Sequence, residues 1–426
     1  MRFKGFLVTA IAACAALGVA QPAAHAALQV GASSVNVTPD PLIPVSGGMG
    51  IPRKTEKQQG NLEVRTIVID KDGERVAFVS VPFIGYPRVL GDKVRALVKD
   101  IPGDHILIGS THTHSAPDMY AFPLPDGGHT GELAYMEKVV TQVAEGINAA
   151  VKALQPASIK IASGDAAEKI AYNYYAPQLY DRRCHVIQAV GKDGKAIATV
   201  VNYAIHPEVI GPGQGICSPD MVGPLYDRVA ELGGGTCVFM NGAQGGMVTA
   251  DCRGEDGEDV QTWDECIRIG NLLADEAMRI VKDAPVQENP DLWVGAKEVK
   301  FHVDSDLLWA VVEGSPLGYP TNDDRTVTTL MNLINVGNAQ ILTIPGEALP
   351  NIGFYLKRHM NGEGDNNFLF GLTNDAFGYI LTKEDFNSFK RYDYVSETSL
   401  GERTGTTLIE EGLKFVSEAP KPKPVG

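Results

Sequence analysis

Two histidines stand two residues apart, just beyond a short apolar run of strand character. Residues 106–108 are Ile-Leu-Ile, small and polar residues fill 109–111, and His112 and His114 follow on either side of a threonine. In an extended chain, side chains two residues apart leave on the same face. Neutral imidazole is a common ligand of Zn²⁺. The spacing therefore indicates a metal site, although two hydrogen-bonded histidines at a strand end would have the same pattern.

Three further apolar runs end in groups that could do chemistry, at His206, Asn241 and Glu347. Ligands of α/β folds bind beyond the carboxyl ends of the strands. Two or three histidines with one carboxylate form the ligand set of a catalytic zinc centre that keeps a position open for water. Taken singly, His206 could be a hydrogen-bonded core histidine, and Glu347 could favour the positive end of a helix. Taken together, the four strand ends predict one site.

The patterns around these positions predict the elements that carry them. Asp-Gly pairs at residues 72–73 and 193–194 indicate β-hairpin turns. Helical periodicity of apolar residues predicts helices over residues 88–99, 132–154, 222–232, 262–282 and 349–360. We therefore expect an α/β fold, with a mixed β-sheet flanked by helices and a metal site at the strand carboxyl ends.

Composition and the amino terminus bear on partners and location. The 426 residues carry a net charge of −15, with lysine and arginine scattered along the chain, so we expect no nucleic-acid partner. Residues 1–26 are typical of a secretory signal, with an apolar core over 6–20 and an Ala-His-Ala cleavage pattern at 24–26. We expect a secreted or periplasmic protein. Lipoprotein anchoring at Cys14 is the alternative, and it is disfavoured because the apolar run continues beyond that residue.

The remaining chain reads as one domain over residues 27–416, with a disordered Pro-Lys tail at 417–426. The cysteines that remain after the signal are Cys184, Cys217, Cys237, Cys252 and Cys266. Because five is odd, at least one thiol stays unpaired within the chain. The sequence leaves open whether the last four pair with one another.

Six motifs span most of the chain after the signal. They are Gly-Ala-Ser-Ser-Val-Asn-Val-Thr-Pro at 31–39, Gly-Ser-Thr-His-Thr-His-Ser-Ala-Pro at 109–117, Asn-Tyr-Ala-Ile-His-Pro at 202–207, Asn-Gly-Ala at 241–243, Ile-Pro-Gly-Glu at 344–347, and Gly-Tyr-Ile-Leu-Thr-Lys-Glu-Asp-Phe at 378–386. In this order they resemble the N-terminal catalytic domain of the neutral/alkaline non-lysosomal ceramidases.

The resemblance implies a zinc-dependent amide hydrolase of sphingolipid metabolism. Such an enzyme would cleave the N-acyl bond of a ceramide-like lipid, or of a related acyl amide, with a zinc-activated water. Matched motif by motif, His112, His206, Glu347 and Tyr379 would hold the zinc. His114 would hydrogen-bond the reacting carbonyl or the leaving group. Either Glu347 or His114 could shuttle the proton, and the sequence leaves this choice open.

The resemblance also implies residues that contact the substrate. A second catalytic residue beside His114 would be Tyr392, with Tyr394 as the alternative for this tyrosine. Asn241, Gly242 and Val248 would lie against the substrate.

Three departures from the family pattern bear on the substrate. Val248 stands where the family has a serine, unless a one-residue shift brings Thr249 there, and Tyr174 replaces an arginine. We also expect no counterpart of the family's C-terminal immunoglobulin-like domain. Loss of the serine hydroxyl predicts weak turnover of ceramide and better turnover of another acyl amide or ester.

The departures leave two other functions open, a zinc-binding protein without turnover and a zinc hydrolase of a different amide or ester. The expected partner is a small acyl amide or lipid, and transient contact with a membrane surface stays open. The sequence does not determine the oligomeric state.

Overall fold

The computed structural model describes Met1 and residues 27–425. The predicted signal peptide, residues 1–26, lies outside the described residues except for Met1. Among the described helices, none combines the length and the apolar character that crossing a bilayer requires.

Helices and strands alternate along most of the chain. The helices are α1 (Arg88–Leu97), α2 (Leu133–Lys152), α3 (Val222–Glu231), α4 (Trp263–Lys282), α5 (Asp306–Gly314), α6 (Pro350–His359), α7 (Asp393–Glu397) and α8 (Thr404–Glu418). The strands of the first half are β1 (Gln29–Asn36), β2 (Val45–Ser46), β3 (Lys57–Gln58), β4 (Glu63–Lys71), β5 (Glu74–Val81), β6 (Ile106–Ser110), β7 (Ala116–Pro117), β8 (Gln155–Asp165), β9 (Ala171–Asn173), β10 (Arg183–Gly191) and β11 (Ala196–Tyr203). The strands of the second half are β12 (Ile216–Cys217), β13 (Thr236–Asn241), β14 (Val248–Ala250), β15 (Val286–Gln287), β16 (Leu292–His302), β17 (Thr326–Val336), β18 (Ala339–Thr343), β19 (Glu347–Ala348), β20 (Asn367–Phe370) and β21 (Tyr379–Ile380).

A large mixed sheet carries the predicted site. Within the described residues it has nine strands in the order β13-β11-β10-β8-β1-β4-β5-β6, with β15 beside β8. The pairs β11/β13 and β5/β6, at opposite ends of this order, are parallel, and the pairs between them are antiparallel. Asp72 and Gly73 take positive φ at the turn between β4 and β5, as the predicted hairpin requires. The predicted fold class is confirmed.

The two ends of this sheet approach each other. The hydroxyl of Ser80 in β5 donates to the carbonyl of Phe239 in β13, with 2.6 Å between the oxygens. The side chain of Asn241, at the end of β13, donates to the carbonyl of Thr111, just after β6, over 3.1 Å. Strands at opposite ends of the pairing order therefore deliver their carboxyl ends to one place.

A second sheet packs against the first and was not foreseen as a separate layer. Its four strands within the described chain follow the order β16-β17-β18-β20. Apolar side chains of both sheets form one buried cluster, in which Phe78 and Phe370 meet edge to face with ring centroids 5.3 Å apart. Such an aromatic pair contributes about 0.5–1.5 kcal/mol beyond its buried area.

Helices cover the outer faces of both sheets. Leu90 of α1 and Val139 of α2 pack on one part of the large sheet, and α3 and α4 pack on another part. Helices α6 and α8 cover the smaller sheet. At the start of α4, the Thr262 hydroxyl accepts from the backbone N–H of Glu265, which caps one free donor of the first turn. The described chain is thus a helix–sheet–sheet–helix sandwich.

The carboxyl-terminal boundary predicted at residue 416 is wrong, because α8 continues to Glu418. The following residues lie against the smaller sheet, where Asn335 Nδ2 donates to the carbonyl of Pro420 over 2.6 Å. Lys423 also pairs with Asp291. Helices α5, α7 and α8 were not predicted.

The cysteine pairing considered from the sequence is not formed. Among residues 27–425, Cys184, Cys217, Cys237, Cys252 and Cys266 are all buried free thiols. Burial raises the pKa of Cys217 and Cys237 to about 12. These thiols therefore stay protonated at neutral pH and behave as small apolar side chains.

Candidate metal centre

His112 lies in the turn that follows β6, and its backbone is strained. Its φ is +75°, a left-handed conformation that non-glycine residues rarely adopt and that is typical of functional sites. The backbone N–H of His112 donates to the carbonyl of Phe83 over 2.9 Å, and its ring Nδ1 lies 2.5 Å from the carbonyl of Ile84. A proton on Nδ1 satisfies that carbonyl and leaves the Nε2 lone pair free.

His206 is held in the same manner, three residues beyond β11. Its backbone N–H donates to the carbonyl of Val248 over 2.8 Å, and its Nδ1 lies 2.9 Å from the same oxygen. The ring is completely buried. In both histidines a backbone carbonyl therefore sets the tautomer that presents Nε2 to the site, as is usual for metal-binding histidines.

Glu347 and Tyr379 stand opposite each other on a short pair of parallel strands, β19 and β21. The Oε2 atom of Glu347 lies 3.0 Å from Nε2 of His206 and 3.3 Å from Nε2 of His112. The Tyr379 hydroxyl lies 3.4 Å from Nε2 of His206 and donates to the sulfur of Met247 over 3.0 Å. The four predicted ligands thus converge on one point.

These atoms need a cation between them. With both Nδ1–H groups donating to carbonyls, the two Nε2 atoms and the carboxylate are all acceptors until a proton or a metal ion lies among them. The ring nitrogens of His112, His114 and His206 that could bind metal lie within 4.8 Å of one another. Imidazole nitrogens with carboxylate and phenol oxygens are a donor set that suits zinc. The group could therefore hold a metal ion.

The charges around this group follow from burial and from the close contacts. Burial lowers the pKa of His206, but Glu347, Glu208 and the Val248 carbonyl together outweigh it, and the net pKa is raised. Burial raises the pKa of Glu347, but His112 and His206 outweigh it and hold it well below its usual range. Burial lowers the pKa of His114 to about 3, against an opposing effect of Glu208. At neutral pH Glu347 is therefore ionised and His114 is neutral.

Glu208 is a site residue that the sequence reasoning missed. Its Oε2 lies 3.5 Å from Nδ1 of His114. Burial raises its pKa, but His114 and His206 outweigh that effect and lower it. Glu208 follows His206 by two residues, so the same two-residue spacing that singled out His112 and His114 could have found it.

The structure corrects the predicted substrate contacts. Asn241 is completely buried; its amide donates to the carbonyls of Thr111 and Ile205, and its Oδ1 accepts from the N–H groups of Ile205 and Gly242. It joins two strand ends and has no hydrogen-bonding capacity left for a ligand. Gly242 is buried beside it, and a Cβ there would come within 3.0 Å of Ala204.

The side chain of Val248 lies away from the candidate site and lines neither cavity there. Its side chain is completely buried in the apolar cluster beneath α3 and α4, and only its carbonyl serves the site, through His206. Tyr174 is 61% exposed. The expectation of weak ceramide turnover rested on Val248 replacing a hydroxyl at the substrate, so it loses its basis.

Of the two tyrosines considered for the second site position, Tyr394 is the one at the cavity. Its ring centroid lies 5.9 Å from that of Tyr379, and burial raises its pKa to about 12. Tyr392 packs behind it against Tyr175, with ring centroids 5.5 Å apart. The structure therefore places the alternative, Tyr394, at the cavity, and the role of Tyr392 stays a prediction.

Two adjoining cavities lie beside the converging side chains of His112, Glu347 and Tyr379. A cavity of about 80 Å³ is bounded by His112, His114, Glu347, Tyr379 and Tyr394. A larger one of about 340 Å³ lies between α5 and the start of α1. The residues that line both are Tyr120, Phe122, Leu308, Ala376 and Phe377. The shared wall is mostly apolar, and the larger volume is in the range of small-molecule sites.

Two solved structures are similar to this chain. One is a neutral ceramidase from Pseudomonas aeruginosa, with a TM-score of 0.73, 14% sequence identity, and coverage of 94% of this chain and 76% of that chain. The other is a ceramidase complexed with C2, with a TM-score of 0.75, 16% identity, and coverage of 94% and 77%. No family model and no curated protein matches the sequence. At these identities the likeness establishes the fold, and the resemblance to neutral ceramidases is confirmed at that level.

Proposed function

We propose that this protein is a zinc-dependent hydrolase that cleaves the N-acyl bond of a ceramide-like lipid or a related acyl amide. The observation that carries the proposal is the convergence of His112, His206, Glu347 and Tyr379, with both histidine tautomers set by backbone carbonyls. The fold shared with two ceramidases supports the amide as the bond cleaved. When bound, zinc would make water nucleophilic near neutral pH and polarise the acyl oxygen.

A side chain of this protein must transfer the proton that the departing nitrogen needs. Hydrolysis adds one water across the C–N bond, so the oxygen ends on the acyl carbon and a proton must reach the departing nitrogen. Glu347 and His114 both border the cavity. Oε2 of Glu347 already faces two imidazoles, whereas Nε2 of His114 has no hydrogen-bond partner among the described residues. We assign the proton transfer to His114.

The larger cavity supports an apolar arm on the substrate. Tyr120 and Phe122 stack with ring centroids 4.7 Å apart and form part of the wall between the two cavities. An acyl or sphingoid chain that lies in the larger cavity would bring its amide to the smaller one. A polar amide or ester would leave this apolar surface in contact with water, which disfavours it.

The test is hydrolysis of a panel of N-acyl sphingosines, N-acyl amino acids and matched esters, with zinc and after chelation. We expect zinc-dependent turnover that favours long acyl amides, and its loss in His112→Ala. The matched control is His359→Ala, which removes an exposed histidine that bonds only within its own helix. Zinc binding without turnover of any substrate would favour the binding-protein alternative, and turnover of polar substrates alone would refute the lipid class.

We also propose that the protein is exported, on the signal-like sequence of residues 1–26 alone. Amino-terminal sequencing of the protein from its native host should begin near residue 27. A chain that still begins at Met1 would refute export by cleavage.

A further inference from the structure

His114 and Glu208 form a histidine–carboxylate pair next to the four proposed metal ligands. His114 borders the smaller cavity, whereas Glu208 lies behind it. The backbone N–H of His114 donates to the carbonyl of Pro207 over 3.2 Å, which ties the chain after β6 to the chain after β11. The two side chains therefore sit on segments that are already joined through the backbone.

The two nitrogens of the His114 ring have different surroundings. Nδ1 faces a carboxylate oxygen of Glu208 at 3.5 Å. Nε2 is buried and has no hydrogen-bond partner within the described residues. The side chain of Thr249 also interacts with Glu208 and favours its ionised form. A carboxylate can only accept a hydrogen bond, so it favours the tautomer with the proton on Nδ1.

We infer that Glu208 is a positioning residue, which holds the Nδ1–H tautomer of His114 and thereby directs the Nε2 lone pair at the substrate. This inference rests on the proposed function for its catalytic meaning. Glu208 itself does not line the cavity, so it acts through the imidazole. The arrangement resembles in logic the carboxylate that orients the histidine of a hydrolase triad, where the carboxylate fixes tautomer and ring orientation.

The test compares Glu208→Gln with a matched control. Glu74 lies 3.5 Å from Nδ1 of His105, the same separation, but on a hairpin away from the site. We expect Glu208→Gln to keep its zinc content and unfolding midpoint while kcat falls about 10–100-fold with little change in KM. Glu74→Gln should leave both constants unchanged. In a His114→Ala background, Glu208→Gln should cause no further loss, because the two act as one unit.

A spectroscopic measurement keeps the inference testable without turnover. Nitrogen NMR of zinc-loaded protein with labelled histidine, assigned by loss of one signal in His114→Ala, reports which ring nitrogen carries the proton. We expect Nδ1–H in the wild type and a mixture of tautomers in Glu208→Gln. An unchanged tautomer would overturn the inference, and so would loss of zinc in Glu208→Gln, which would place the pair in the metal shell. If no substrate is turned over but the tautomer changes, the proposed function fails and the positioning role stands.

Discussion

Asn241 offers the sharpest test of how the site is assembled. Its buried side chain makes four hydrogen bonds, two as donor to Thr111 and Ile205 and two as acceptor from Ile205 and Gly242. A hydrogen bond contributes about 1 kcal/mol net, so Asn241→Ala should lower the free energy of unfolding by about 4 kcal/mol. Removal of the Asn241 side chain also removes the hydrogen bond that joins the end of β13 to the residue after β6. Because His112 follows the first of these, its distance to His206 should become less well defined.

The assay is chelator competition for zinc alongside urea unfolding. We expect Asn241→Ala to bind zinc about 10–100-fold more weakly, the usual effect of removing a group that supports metal ligands. The control is Asn335→Ala, which removes one buried and one partly buried hydrogen bond of a smaller-sheet residue and should cost about 2 kcal/mol without affecting zinc. If Asn241→Ala loses stability but keeps the wild-type zinc affinity, the strand ends are held by other contacts and the reasoning is refuted.

The remaining predictions concern the metal, the loop beneath Glu347 and a buried ion pair. Zinc at 100 times its Kd should raise the free energy of unfolding by about 2.7 kcal/mol, and an equal rise without the metal ligands would contradict the site. Gly245→Ala should abolish zinc binding, because its Cβ would lie 2.1 Å from the backbone oxygen of Glu347, whereas Gly213→Ala has open space and should bind normally in the same titration. Burial raises the pKa of Asp181, but Lys357, 2.8 Å away, and Arg183, also 2.8 Å away, together outweigh it and hold that pKa well below its usual range. The pair should therefore stabilise the fold at neutral pH and lose this effect as the pH falls below about 4; urea unfolding of Asp181→Asn should show its largest deficit at pH 7, and a deficit independent of pH would contradict the assignment.

Local sequence patterns predicted most of the elements and the histidines and carboxylate of the candidate site, whereas Tyr379 was predicted only from the resemblance to the ceramidases. The hairpin at Asp72-Gly73 and the helices of residues 133–152 and 263–282 follow from turn chemistry and from helical periodicity, which depend on near neighbours in the chain. The sequence also showed that apolar strand-like runs end near His112 and His206, because this pattern depends on near neighbours as well. Helix α5 was missed because residues 307–312 are all apolar, so its sequence shows no polar face opposite an apolar stripe.

The substrate-facing residues could not be predicted in this way. Asn241 ends β13 and Val248 begins β14, but the Val248 side chain points into the core and the Asn241 side chain joins two strand ends. The direction in which a loop side chain points depends on what packs around it, and no periodicity encodes that in an irregular segment. Tyr394 and Tyr392 differ for the same reason, since Tyr392 precedes α7 and Tyr394 lies in its first turn, and only Tyr394 lines the cavity.

The sequence by itself determined which residue types end which strands, and therefore that imidazoles and a carboxylate were available for a metal. It did not determine that strands from opposite ends of the sheet would meet. That depends on long-range contacts such as Ser80 with Phe239 and Asn241 with Thr111, which join residues more than 100 positions apart. Only the tertiary structure brings Nε2 of His112 and of His206 to the same carboxylate oxygen, and only it places Glu208 behind His114. The physical reason is that local pattern fixes the direction of a side chain on its own strand, whereas the packing of two sheets fixes where that strand ends in space.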